Sequence, residues 1–235
     1  VISDTHYRMD DLAANHAAVA AMNAIPGTAL PDAIGGGVVW TPRGVLHGGD
    51  TTNDAKPWQW QAFTADYGVD REGTLRFPVY EIHGNHDGGL GGPVGDGIVE
   101  RNRRRPGVTA VSSNGLHYSW QWNGVHFIAL GVRPGGEARP YNPHQSLEFL
   151  RGVLREHVGG GGAPVVLYHH FGFDPGHSLR WWTDDERDAY HALIRDHNII
   201  AIFHGHSYDC DFYQWRGIDV FNAPHMQWEP SSIGF

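Results

Sequence analysis

A single cysteine, Cys210, stands in 235 residues, so no disulfide can close within the chain and cysteine usage says nothing of compartment. Lysine is almost as scarce, with Lys56 the only one among 17 basic residues. Positive charge as a whole is short: 26 acidic residues leave a formal net charge of −9, which argues against a dedicated nucleic-acid binder with its basic patch. The one basic run, RNRRRPG at 101–107, reads as a solvated turn. No apolar run approaches the ~20 residues needed to cross a bilayer. Internal repeats are lacking, and so is any charged or Ser/Pro-rich linker. A chain of this length can bury one sizeable core, and a single domain over 1–235 is expected. The first residue is Val1, within what reads as the end of a strand, so the expectation is that this strand starts upstream.

Histidine is the opposite case, with 17 copies. It is the commonest metal ligand and the usual acid or base near neutral pH. Short apolar runs alternate with helical patterns, which points to α/β layering. Helices are expected over 10–25, 58–68, 143–158 and 183–198, the last opened by Thr183 with Glu186 three residues on, a capping-box spacing. Strands are expected over 44–50, 77–87, 163–170 and 199–206, followed by a meander from "DFYQW" to "IDVFNA". Two alternating runs around Asn123-Gly124 predict a hairpin within 117–132. The glycine-rich stretch 88–97 shows no periodicity and reads as a mobile wall.

Most of the expected strands share one plan, an apolar run that ends in Gly, Asp, Asn or His. Sites of α/β folds lie outside the carboxyl ends of strands. Five ends carry metal-ligand types: Asp4 with His6, Asp50, Asn85 with His86 and Asp87, His169 with His170, and His206. One strand-end histidine is ordinarily structural, and the glycines of "GGD" and "HGN" could simply form turns. Five such ends in one small α/β chain call for a shared purpose. Carboxylate, imidazole and amide donors without thiolate suit Mn, Fe, Zn, Ni or Co rather than a structural Cys–zinc site. A central carboxylate can bridge two cations ~3.5–4 Å apart. Of His169 and His170, alternate residues of a strand face opposite ways, so one ligand is expected from the pair.

In order and spelling, "DTH" (4–6), "GGD" (48–50), "GNHD" (84–87), "YHH" (168–170) and "HGHSY" (204–208) resemble the calcineurin-like metallophosphoesterase superfamily across nearly the whole chain. The stretches between are similar to those of its purple-acid-phosphatase-like and phosphodiesterase-like branches. The resemblance implies a four-layer αββα sandwich of two mixed β-sheets flanked by helices. It implies two divalent or trivalent metal ions. Asp4 and His6 would hold the first, Asp50 would bridge both, and Asn85, His169 and His206 would hold the second. His86 would face the substrate, Asp87 would orient its imidazole, and a metal-bridging hydroxide would be the nucleophile. His170 would line the pocket or pack structurally.

Position 208 departs from the family's G-H-x-H, with Tyr208 where a second histidine is expected. Tyr208 ligates as phenolate, or water completes the first site, or that site is weak; all three readings stay open. His204, before the glycine, is expected to support the ligands. After Asp50 the chain runs "TTN", unlike either purple acid phosphatases or protein phosphatases, so the resemblance extends to the wider superfamily only. Around the site, Phe171, Phe173, Trp181 and Trp182 form either an apolar substrate wall or a core cap, with His177 and Arg180 supplying charge. Trp181 and His170 are the expected substrate contacts. The function this implies is hydrolysis of small organic phosphate esters, with diesters or bulky esters favoured by the aromatic, arginine-poor segment. The competing class is a non-catalytic binding module with an impaired first metal site.

Overall fold

A computed structural model describes residues 1–135 and 145–226 of the chain. Its strands fall into two sheets. The smaller pairs β1 (Val45–His47) with β2 (Val79–Glu81) in parallel, and Ile2 bridges to His47 at its edge, also in parallel. The larger has seven strands. These are β3 (Val108–Val111), β4 (Tyr118–Trp122), β5 (Val125–Ala129), β6 (Val165–Tyr168), β7 (Ile199–His204), β8 (Asp211–Trp215) and β9 (Ile218–Asn222), in the order β3-β4-β5-β6-β7-β9-β8. Its centre, β5 to β7 and β9, is parallel and its two margins are antiparallel. The expected αββα layering is what is found, except that the smaller sheet is parallel rather than mixed among the described residues.

The pleat sorts side chains into layers. Between the sheets lie Leu46, Tyr80, Ile82, Tyr118, Trp120, Ala129 and Tyr168. On the far side of the small sheet, α1 (Leu12–Asn23) and α2 (Pro57–Asp66) bury Val19, Met22 and Phe63. On the far side of the large sheet, α4 (Leu147–Val153) and α5 (Asp184–Ile194) bury Leu150, Tyr190 and Ile194 against Val165, Leu167 and Ile202. Thr183 and Glu186 form the expected capping box, and Asn123 and Gly124 turn the β4–β5 hairpin at φ 50° and 82°. The helix expected at 143–158 runs from Leu147 and passes into a π-turn at Leu154–Val158; its expected start at 143–144 lies outside the described residues.

Two expectations are corrected here. The glycine-rich 88–97 stretch is not a loop throughout: Pro93 at the first helical position opens α3 (Pro93–Arg104). A β-carbon on Gly97 would fall 2.2 Å from the Trp60 indole nitrogen, so glycine there permits α3 to close on α2. The basic run is likewise not a solvated turn throughout. Arg101 and Arg105 are buried and both reach Glu81, at 2.7 and 2.8 Å, while Arg103 and Arg104 stay exposed. Three charges share one buried carboxylate cluster, which clamps α3 to the end of β2. Removing one partner of such a cluster costs about 3–5 kcal/mol.

Candidate metal centre

The two sheets meet where the strand-end motifs converge. Asp4 and His6 follow the bridged residues Ile2 and Ser3 in left-handed backbone, at φ 54° and 39°, and Asp50 follows at 53°. Across the site His206 and Tyr208 adopt the same region, at 68° and 65°. Each non-glycine residue held there costs of order 1–3 kcal/mol, so five around one point mark a place where geometry is imposed by the surroundings. Backbone bonds impose it: Asp4 N–H donates to the Gly49 carbonyl and His6 N–H to that of Asp50, each at 3.0 Å. Glycines allow the close approach. A β-carbon on Gly84 would lie 2.1 Å from the Asp50 nitrogen, and one on Gly205 would lie 1.8 Å from Ser3 Oγ. These glycines serve packing as well as turning.

Asp50 is the hub. Its Oδ1 accepts from the His86 backbone N–H at 2.8 Å, which leaves Oδ2 3.2 Å from His170 Nε2 and 3.6 Å from His6 Nε2. Two three-residue groups form around it, His6–Asp50–His86 and Asp50–His170–His206, and within each the donor atoms lie within 4.8 Å of one another. Asp4 ties the halves together, its Oδ2 accepting from the His206 backbone N–H at 2.9 Å while Oδ1 stands 3.5 Å from His6 Nε2. Burial alone would raise the Asp50 carboxyl, but His170, then His6 and His86, outweigh it and hold it far below the usual carboxylate range. Burial likewise opposes protonation of His170, but Asp50 and Asp4 outweigh it and push the imidazole up to about 9.

These residues have the chemistry to hold metal cations. Among the described residues both ring nitrogens of buried His206 lack a hydrogen-bond partner, a costly arrangement unless something else engages them. His170 Nδ1 donates to the Gly48 carbonyl at 2.7 Å, so Nε2 is the nitrogen aimed at Asp50 and Asn85, and a cation there would engage it by displacing its proton, the orientation a ligating imidazole needs. Asn85 Oδ1 stands 3.0 Å from that nitrogen. Acidic oxygens, imidazoles and one amide make a donor set for hard or borderline metals.

The expectation at the histidine pair is reversed. His169 points away from the cluster, into the helix-side core among Phe173, Trp182 and Tyr190, and its Nδ1 donates to the Phe171 carbonyl at 2.7 Å. Val165 and Leu167 face the same layer, so the β6 pleat carries His169 outward and His170 inward behind Tyr168. Asp87 also departs from its expected role. It accepts from the backbone and hydroxyls of Thr51 and Thr52 and from Gly84 N–H, at 2.7–3.2 Å, and so braces the turn that carries Asp50. The His86 ring is held instead by the Asn53 carbonyl, which accepts from its Nδ1 at 2.8 Å and leaves Nε2 toward the site.

The remaining expected residues divide cleanly. His204 supports from behind: Nδ1 donates to the Gly205 carbonyl, and Nε2 accepts from the Tyr213 hydroxyl at 2.9 Å. Phe173 and Trp182 belong to the core. Phe171 packs on His206 with ring centres 4.4 Å apart, and half-buried Trp181 stacks on Phe171 under the Arg180 guanidinium. Tyr208 lies half-buried at the rim, 6.0 Å from the His6 ring, its phenol pushed up to about 12 by burial and then by Asp4 and Asp50. Sequence reasoning missed His225, whose buried ring stacks on His6 at 5.3 Å and meets Tyr208 edge-on at 4.8 Å. It follows the last strand with no glycine beside it, so no local pattern marks it.

With this geometry in place, comparison with known proteins gives two kinds of match. A family profile described as calcineurin-like phosphoesterase matches residues 1–210. Among solved structures, a dimetal phosphatase from Danio rerio superposes with a TM-score of 0.53 at 14% identity, over 81% of this chain and 75% of that one. The phosphopantetheinyl hydrolase of Mycobacterium tuberculosis superposes with a TM-score of 0.50 at 13% identity, over 97% and 90%. At such identities the likeness shows the fold alone. Comparison with curated protein sequences gives no significant match.

Proposed function

The chain belongs to the calcineurin-like phosphoesterase family, and on that premise we propose that it hydrolyses phosphate esters of small organic molecules at a two-metal centre built around Asp50. The observation that carries the reading is the sharing of one carboxylate between two ligand groups, His6–Asp50–His86 and Asp50–His170–His206. Asp4 and His6 would hold the first cation, Asn85, His170 and His206 the second, and Asp50 both; His170 takes the place first given to His169. Bound there, the cations supply Lewis acidity and an activated water at neutral pH.

The chain's own groups do the rest. Asp87 fixes the Asp50 turn, and the Gly48 carbonyl fixes the His170 tautomer. His86, exposed and oriented by Asn53, directs Nε2 to a phosphoryl or leaving oxygen. Tyr208 would offer a hydroxyl on the His6 side of the site. The Phe171–Trp181 flank supports an ester with an apolar arm, either a diester or a bulky monoester.

The test is metal analysis of protein purified without chelator, alongside hydrolysis of p-nitrophenyl phosphate and bis-p-nitrophenyl phosphate under Mn, Fe, Zn, Ni or Co. Two metals per chain with turnover of either ester are expected. One metal or none, with no turnover under any of the five, would overturn the reading in favour of a binding module.

A further inference from the structure

The segment that follows β6 carries a histidine for which the proposed chemistry has as yet no use. His177 presents a half-buried ring 4.8 Å from the His206 ring, edge-on, and 6.3 Å from that of Tyr208. Its backbone N–H donates to the Asp174 carbonyl, but its ring makes no hydrogen bond among the described residues. The backbone around it is held at several points. Asp174 accepts from Ser178 N–H at 2.9 Å and from the Ser207 hydroxyl at 2.8 Å, and the hydroxyls of Ser178 and Ser207 meet at 3.0 Å. This ties the turn to the residue following His206. Farther along, buried Arg133 holds the Trp181 carbonyl and reaches Glu186 at 2.7 Å. A polar ring on a braced turn, standing over a cluster ligand with its nitrogens unused, is placed to meet something that enters the site.

The arrangement has a counterpart. His86 lies against His6 with ring centres 4.7 Å apart, as His177 lies against His206 at 4.8 Å. One imidazole thus flanks each of the two ligand groups that share Asp50. A tetrahedral phosphoryl group seated between those groups has oxygens to spare beyond the ones that reach Asp50's neighbours.

We infer that His177 is a substrate-binding residue that donates a ring N–H to a non-reacting phosphoryl oxygen, so that the phosphate is held between His86 and His177. This rests on the phosphoesterase reading and adds a contact to it. Asp174 is a positioning residue for that contact, acting through Ser178 and Ser207. Removing one hydrogen bond to a charged group is expected to weaken binding about tenfold or more.

The experiment uses the metal-loaded full chain, with inorganic phosphate as the binding probe and bis-p-nitrophenyl phosphate as substrate. For His177→Ala the expected result is unchanged metal content and melting temperature, a roughly tenfold or larger rise in both the phosphate inhibition constant and KM, and a smaller change in kcat. His177→Gln, which keeps a donor, should recover part of the loss. Asp174→Asn should move KM in the same direction. Phosphate inhibition and KM within twofold of wild type in His177→Ala overturn the inference while leaving the enzyme reading intact. Loss of a metal from His177→Ala also overturns it, since the ring would then be a ligand. Loaded wild-type protein that neither binds phosphate nor turns over any ester overturns both.

Discussion

The half of the site that comes from the small sheet is aimed by turns, while the large sheet aims its central ligand by the pleat of a strand. Asp4, His6 and Asp50 each sit in left-handed backbone, locked by cross-chain bonds between the first residues and the Gly49–Thr51 turn. Their side chains have one place to go. His170 instead stands at the end of β6, one residue after a histidine of the same chemistry that faces the opposite layer. A turn marked by glycine states its own direction. A strand end takes its direction from what covers the sheet on each side.

That contrast can be broken most decisively at the histidine pair. His170→Ala is expected to lose a metal and to lower turnover by more than the ~10–100-fold typical of a supporting residue, with the fold retained. His169→Ala should do the reverse, keeping two metals while opening a cavity beside Phe173, Trp182 and Tyr190 that costs about 3 kcal/mol of stability. Metal analysis and thermal melts of both variants decide it. If His169→Ala empties the site and His170→Ala does not, the assignment of faces is wrong.

Asp87→Asn sharpens the turn side. Replacing the carboxylate that collects bonds from Thr51, Thr52 and Gly84 should loosen the Asp50 turn, with about a 10–100-fold fall in metal affinity read by competition titration. An unchanged affinity would show that the turn is held by its backbone alone.

A pH titration addresses the buried histidines behind both halves. Burial lowers His47 to about 4, His169 to about 3 and His204 to about 4. With folded pKa below the unfolded value of ~6.5, the unfolded chain takes up protons first, so this stability is present above pH 6.5 and is lost as pH falls toward 4. His170, raised to about 9, acts in the other sense: its contribution is complete below 6.5 and is lost as pH rises through 9, so it does not offset the loss. Melting temperature should therefore drop steeply between pH 6.5 and 4. A flat profile would mean these imidazoles are not buried as neutral groups.

The smallest effect is expected at Tyr208. Its ring sits at the rim beside His225, 6.0 Å from the His6 ring, so Tyr208→His should keep or raise turnover of p-nitrophenyl phosphate. A large loss would assign the tyrosine a role of its own.

Legibility followed the same line. "GGD" and "GNHD" could be read because glycine and the chemical type of the neighbour stand together in the chain, whereas "DTH" was read from its donor types at a strand end. The α3 helix was hidden because its Gly97 answers to Trp60, a residue of another helix. Arg101 and Arg105 looked solvated because nothing near 101–107 announces that Glu81 lies beneath them. The resemblance gave Asp87 to the His86 ring, although Thr51 and Thr52, some 35 positions away, have the stronger claim on it.

The sequence by itself determined the layered α/β plan and the donor types at its strand ends, because alternation, glycine placement and residue chemistry are local properties; the resemblance to the family is what pointed to Asp50 as the hub. Only the tertiary structure decided that His170 rather than His169 enters the site, that His225 stands at its edge, and that Asp87 serves a turn rather than a ring. Each of those depends on which face of a strand or loop another part of the chain has covered, and a pleat has the same period whichever face is in.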